Sequence, residues 1–266
     1  MTRAIRWLVK PWKKLATHRR SAPLLLPGDE ALTANTRNYV LHKSYSAFVA
    51  DPDYRYPFSD KRFHLGLIPN PYSGNLRTAK IFVLAVNPGF NPFNYYGEFR
   101  DHGFRKAKIK MLRQENVSEE FPFISLNPRY AWSSGARYWT ERFKPIIKMV
   151  MQTHEIDVRT ALMVISKNVA ILECCPYHSQ SFGLSLKHLK KMESWKRIER
   201  FVFDHLMPRA RAGEIMIIVG LGQKYWQLPL KTKNVFVRRN ARSIRFTSQM
   251  QKAMSKILFH EATWAH

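Results

Sequence analysis

Four short polar clusters follow apolar runs in this chain, and they hold the side chains best suited to handling a small polar molecule. Asn87-Pro88-Gly89 follows Lys80–Val86, and Glu173-Cys174-Cys175-Pro176-Tyr177-His178 follows Val169–Leu172. Gly220-Leu221-Gly222 follows Glu214–Val219, and Asn240-Ala241-Arg242-Ser243 lies just beyond Asn234–Val237. A neutral amide such as that of Asn87 accepts a hydrogen bond from water through its oxygen and donates through its nitrogen. Pro88-Gly89 fixes the turn behind it. The Glu173 carboxylate is an acceptor for amines, and the Arg242 guanidinium suits a phosphate. Each has a plainer use as well. Asn87 can close a turn, Glu173 can end a strand, and Arg242–Phe246 can be a basic solvated turn with Phe246 in the core.

The runs before these clusters are short, apolar and rich in β-branched residues, which is the signature of strands buried on both faces. Between them lie segments with helical spacing. Residues 104–115 read as a basic helix. Residues 134–152 carry Trp139, Phe143, Ile146, Ile147 and Val150 on one face, with a kink possible at Pro145. Residues 189–206 read as an amphipathic helix, and Thr247 as the N-cap of a last helix to about Phe259. Upstream, Pro27-Gly28-Asp29-Glu30 opens a helical segment to about Val49, and 57–74 is a loop rich in Pro, Asn and aromatics. Alternating strands and helices predict an α/β fold of three layers around a mainly parallel four-stranded sheet. Ligands of such sheets gather at the carboxyl ends of the strands, where the four clusters stand. The expected organisation is a basic arm or helix over residues 1–28 and a single domain over 29–266.

Charge narrows the class of partner. The 266 residues contain 44 Lys and Arg against 19 Asp and Glu, a formal net charge of +25. Self-repulsion of that size works against folding, so the expected gain is attraction to a polyanion, with nucleic acid ahead of an anionic membrane surface. Arg3, Arg6, Lys10, Lys13, Lys14, Arg19 and Arg20 fall in the first 26 residues with no acid among them, interleaved with Trp7, Leu8 and Trp12. That segment reads as a DNA-contacting arm, a helix packed on the body, or a helix on a membrane surface. Arg105, Lys106, Lys108, Lys110 and Arg113 read as a solvated face that also tracks phosphates.

Several chemistries are set aside. No apolar run reaches the length of about 20 residues that spans a bilayer, and Lys10, Lys13 and Lys14 interrupt any signal-peptide core. Cys174 and Cys175 are adjacent, which disfavours a bridge, and two thiols cannot hold a four-thiolate cluster. A reducing compartment, the bacterial cytoplasm, is expected. His260-Glu261 lacks the second His of a zinc-protease helix, and Gly220-Leu221-Gly222 lacks the third Gly of a dinucleotide fingerprint. Neither a Walker loop nor a metal-nuclease core stands at a strand end. No metal and no cofactor is expected.

The four strand ends, in this order, resemble the uracil-DNA glycosylase superfamily, nearest to its single-strand-selective and mismatch-specific branches. Leu84-Ala85-Val86-Asn87-Pro88-Gly89 is similar to the family's first motif. Glu173-Cys174-Cys175-Pro176 resembles its second strand end, Gly220 its third, and Asn240-Ala241-Arg242-Ser243 its His-Pro-Ser or Asn-Pro-Ser loop. The family's base-reading Asn is replaced by Glu173 and the Pro of the last motif by Ala241, and the iron–sulfur cysteines of some branches are missing. The resemblance implies a monofunctional DNA glycosylase, usually a monomer, that flips a base and leaves an abasic site. The alternative is an inactive relative that only binds nucleic acid.

On that resemblance the site residues are assigned as follows. Asn87 holds the attacking water beneath the sugar carbon, and Asn240 serves the leaving base. Phe99, Tyr96 or Tyr95 stacks on the flipped ring, with Phe99 favoured, Phe90 also belongs to the base pocket, and Tyr177 and His178 line that pocket or touch phosphate. Arg239, Arg242 and Arg245 meet the DNA backbone, while Ile244 or Phe246 wedges into the vacated stack. An ionised Glu173 would accept from the exocyclic amine of a cytosine and repel uracil. That points to a modified cytosine, as in phage DNA, with uracil-type damage as the other possibility. Burial that raised the pKa of Glu173 would weaken this discrimination.

Overall fold

The computed structural model describes residues 1–18, 22–53, 61–116, 118–229, 231–238 and 241–262. In chain order its regular elements begin with helix α1 (Arg3–Lys13), strand β1 (Tyr39–Val40), α2 (Tyr45–Val49), β2 (Phe63–His64), β3 (Tyr72–Ser73) and β4 (Ile81–Ala85). Then come α3 (Phe93–Arg100), α4 (His102–Leu112), α5 (Ser134–His154), α6 (Val158–Asn168) and β5 (Val169–Glu173). The remainder is α7 (Leu186–Leu189), α8 (Glu193–Phe201), α9 (Met207–Ala212), β6 (Met216–Val219), α10 (Gln223–Trp226), β7 (Val235–Val237) and α11 (Ser248–Ala262).

The main sheet has five strands in the order β3-β5-β4-β6-β7, not the four expected. The four apolar runs supply the parallel strands, and Tyr72–Ser73 joins antiparallel at the edge beside β5. Two residues flanked by Pro71 and Gly74 leave no periodicity to read, so the sequence shows only a loop here. Alternation divides the sheet's faces cleanly. Phe82, Leu84, Ala170, Leu172, Ile217 and Val219 join one apolar cluster with α1 and α8. Ile81, Val83, Ala85, Val169, Ile171, Met216 and Ile218 join another with α5, α6 and α11. Both faces are covered, which is why these strands are apolar throughout.

Local signals set the helix starts. The side chains of Ser133, Asp157 and Thr247 each accept from a backbone N–H in the first turn of α5, α6 and α11. Helix α5 runs through Pro145 without interruption. The segment expected to be one helix up to Val49 is broken into 3₁₀ turns at Glu30–Thr33 and Thr36–Asn38, the strand β1 and the short α2. Glu30 lies in the first turn of a 3₁₀ helix, but the Asp29 side chain does not cap it. Asp29 is fully buried, accepting from the Tyr177 hydroxyl at 2.5 Å and the Ser194 N–H at 3.1 Å. The helix expected over 189–206 is α8 continued by a π-helical turn, Val202–Leu206, into α9. The basic N-terminal segment forms a packed helix: Ile5, Leu8, Val9 and Trp12 sit in the core, and Arg197 and Arg200 lie over the Trp7 ring at 4.5 and 5.1 Å. Trp12 is therefore not offered to a ligand. Among the described residues no helix is long and apolar enough to cross a membrane.

Candidate functional site

Strands β4 and β5 end in register, Ala85 beside Glu173, and their chains stay paired beyond the strands. Cys175 N–H donates to the Val86 carbonyl at 2.8 Å, and farther on Ser179 N–H meets the Pro88 carbonyl and Phe90 N–H the Ser179 carbonyl. Two loops thus leave the sheet side by side. Strand β6 ends against Leu84 and turns at Gly220, where a Cβ would lie 3.2 Å from Ile244 and 3.3 Å from Val83. A side chain there would press on both neighbours, so glycine eases the close approach of the last loop. The loops, α4 and the first half of α5 enclose a cleft of about 820 Å³.

Asn87 lies at this cleft, half-buried. Its Nδ2 donates to the Ser179 hydroxyl at 2.9 Å and to the Ser179 and Pro88 carbonyls at 3.2 Å. The amide is therefore fixed with its nitrogen toward protein. Its Oδ1 accepts no hydrogen bond among the described residues and is the atom left for a ligand or water.

Glu173 is the other polar group at the strand ends, and it is 5 % exposed. Its carboxyl makes no hydrogen bond among the described residues, and Oε2 is buried without a partner. Burial alone pushes its pKa up to about 8. Lys108, a buried cation of the cleft wall, is unable to help. It is bound to Glu98, and it also donates to the Ile68 carbonyl at 3.4 Å. Glu173 is thus mostly protonated at neutral pH, with one O–H donor and one carbonyl acceptor facing the cleft. The ionised form assumed in the cytosine-over-uracil argument is the minor one.

His178 is a strut. Its Nδ1 lies 3.0 Å from the Gly89 carbonyl, and its Nε2 lies 3.3 Å from the Lys108 ammonium. A carbonyl only accepts and an ammonium only donates, so the ring is neutral with its proton on Nδ1. Burial and then Lys108 push its pKa down to about 3. It ties α4 to both strand-end loops and is not open to phosphate. Tyr177, fully engaged with Asp29 and the Leu26 N–H, is structural.

The aromatic and basic expectations divide. Phe90 lines the cleft and stacks on His64 with centroids 3.4 Å apart. Phe99, favoured for stacking, instead packs on the fully buried Tyr95 and does not line the cleft, because α3 turns it toward a separate aromatic cluster. Tyr96 also lies outside the cleft and meets Trp132 edge to face at 5.6 Å. The wedge assignment is corrected for both candidates. Phe246 is 7 % exposed in the core against Phe143, and Ile244 is 2 % exposed with its side chain forming part of the cleft wall. Arg238 holds this loop inward by donating to the Ser243 and Arg245 carbonyls at 2.9 and 3.2 Å. Arg242 and Arg245 are exposed beside it. Arg239 and Asn240 lie outside the described residues.

Four participants went unread in the sequence. Ser179 orients Asn87, and Glu98 neutralises Lys108, which with Arg105 was expected on a solvated face but is buried. Tyr138 and Arg142, one position off the apolar stripe of α5, line the cleft with the guanidinium 3.7 Å over the ring. Their spacing of four was the available signal; the Glu98–Lys108 contact crosses between two helices and had none. Among the described residues no cluster of His, Cys, Asp and Glu suits a metal ion. Comparison with protein-family models, characterised proteins and solved structures finds no match for the chain.

Proposed function

We propose that this chain is a monofunctional DNA glycosylase that takes an extruded nucleotide into the cleft and hydrolyses its N-glycosidic bond. The observation that carries the reading is the pair of strand-end groups. One is an amide whose oxygen alone is free among the described residues, and the other is a neutral carboxylic acid with no hydrogen-bond partner among them, both lining one cleft. In the reaction, a water held by Asn87 Oδ1 adds its oxygen to the sugar carbon as the bond to the base nitrogen breaks. One proton of the water stays on the new sugar hydroxyl, and the base leaves as an anion that takes up the other proton by way of solvent. The transition state is positive on the sugar and negative on the base, so a positioned neutral acceptor serves where a strong base is not needed. The cations round the cleft and the net charge of +25 suit a DNA backbone.

Glu173 is the proposed base reader. Its O–H would donate to the ring nitrogen of a cytosine and its carbonyl accept from the exocyclic amine. The same acid with its roles exchanged fits uracil, so neutral Glu173 admits both edges. A cleft of about 820 Å³ lies in the upper part of the range that takes drug-sized ligands, leaving room beyond a bare pyrimidine. That room supports a cytosine carrying an added group, as in foreign phage DNA, as the target. The test is abasic-site release, read by alkaline cleavage, from oligonucleotides containing uracil, cytosine, hydroxymethylcytosine or glucosylated hydroxymethylcytosine. Release from at least one, abolished by Asn87→Ala with DNA affinity retained, is expected. Binding without release from any would make the chain a nucleic-acid-binding protein instead.

A further inference from the structure

The burial of Ile244 and Phe246 leaves the last loop with no ring or aliphatic side chain to offer the bases beside an extruded nucleotide. Large exposed rings stand elsewhere on the rim. Phe93, Tyr96 and Trp132 are 55 %, 44 % and 37 % exposed, high values for side chains of this size. They adjoin the cleft through their neighbours. Phe93 and Tyr96 flank Asn94 on α3, and Trp132 precedes Ser133, and both Asn94 and Ser133 line the cleft. Two of the three rings are held in place. Tyr96 and Trp132 cross edge to face, and Trp132 rests on Phe104, a cleft wall, at 5.1 Å. Gly97 makes this approach possible, since a Cβ there would lie 2.7 Å from both Phe104 and Trp132.

Charge accompanies the rings. Arg100, Arg129 and Arg137 are exposed on the same elements or next to them, and none of the three is in an ion pair among the described residues. Alternating rings and guanidiniums are the composition of a surface that stacks unpaired bases while following their phosphates. Among the described residues these three arginines have no acid partner, Arg100 and Arg129 lying instead over the Tyr45 and Tyr130 rings at 5.5 and 5.8 Å, which leaves their charge for a polyanion rather than a protein of ordinary charge.

We propose that Phe93, Tyr96 and Trp132 form a stacking ledge for the unpaired bases next to the extruded nucleotide, so that the chain engages single-stranded DNA. The inference rests on the nucleic-acid reading of the cleft and specifies the strand form. Fluorescence anisotropy with a labelled oligothymidylate, and with a chain of the same length lacking bases, separates stacking from phosphate contact. The expected result is that Phe93→Ala and Tyr96→Ala each weaken oligothymidylate binding about fivefold or more. Their affinity for the base-free chain, and the salt slope, should match the wild type. Trp132→Ala is kept as a third variant because its loss disturbs the packing on Phe104. Wild-type oligothymidylate affinity in both α3 variants, or equal losses on the two chains, overturns the ledge while excision by the wild type leaves the cleft reading standing. Failure of the wild type to bind either chain overturns the ledge, and failure to bind duplex DNA as well overturns the cleft reading with it.

Discussion

The pKa of Glu173 makes a prediction about stability that needs no substrate. An acid whose folded pKa is raised destabilises the folded state once the unfolded chain ionises. Below the ordinary value of 4.5, both states carry the proton and there is no effect. Between 4.5 and about 8 only the unfolded state gives it up, so stability falls as pH rises. Above that range both are ionised and the loss is complete. Each unit of difference corresponds to about 1.4 kcal/mol, which gives a loss of roughly 3 kcal/mol at pH 7 and roughly 5 kcal/mol above pH 8. Glu173→Gln keeps a neutral donor and acceptor of the same shape and removes the ionisation. Denaturant unfolding of both proteins between pH 4.5 and 9 should therefore show the variant gaining on the wild type across the window. For a chain of this size the gain at pH 7 corresponds to roughly 5–10 °C in Tm. The neutral histidines, His178 and His64, act in the other direction, because stability is lost as pH falls below their ordinary value of 6.5. They are the same in both proteins and cancel in the difference. A difference that does not change with pH would refute the picture of an uncompensated buried acid.

Other consequences follow from the same contacts. Lys108→Met removes the closer of two cations from the buried Glu98 carboxylate, leaving Arg105 at 3.7 Å, and should destabilise the protein by up to about 3 kcal/mol in chemical denaturation. Ser179→Ala removes the 2.9 Å anchor of the Asn87 amide, and single-turnover excision should slow by about tenfold with little change in DNA affinity. Phe246→Ala should cost about 3–5 kcal/mol of stability through a cavity beside Phe143, where a DNA wedge would have lost duplex activity with the fold intact.

Much of the fold was legible because burial on two faces writes itself as continuous apolar runs. Val169–Leu172 and Met216–Val219 could hardly be anything other than inner strands, and their polar ends marked where a site would form. Asn87, Glu173 and Phe90 do line one cleft, because strand order and register bring the ends together. What could not be read depends on distance across the chain. Lys108 looked like one cation in a solvated row until Glu98, on a neighbouring helix, gave it a buried partner. His178 looked available until a carbonyl and an ammonium took both its nitrogens. Phe246 carried the same ambiguity as any ring in a basic loop, and Arg238 decided it by drawing that loop onto the sheet. The edge strand Tyr72–Ser73 was too short to show a period.

The placement of charge also bears on the kind of reaction the cleft could run. A protein with +25 formal charge keeps its strand-end groups neutral: Asn87 by chemistry, Glu173 by burial, and His178 by burial next to Lys108. Glu98 takes up Lys108, a buried cation of the cleft wall. A free ammonium there would oppose the positive sugar of a dissociating glycosidic bond, and an ionised Glu173 would oppose the negative charge gathering on the base. Arg142 is the exception, with Nε buried and unpartnered on the α5 wall, the side of the sheet onto which Glu173 faces. In the proposed reaction that wall is where the departing base gathers charge, and a guanidinium there favours the base leaving as an anion. If Arg142 acts in this way, its replacement by Gln lowers the excision rate and leaves the affinity for an intact oligonucleotide unchanged. A phosphate contact at the same position would instead weaken binding and reduce the salt slope by about one.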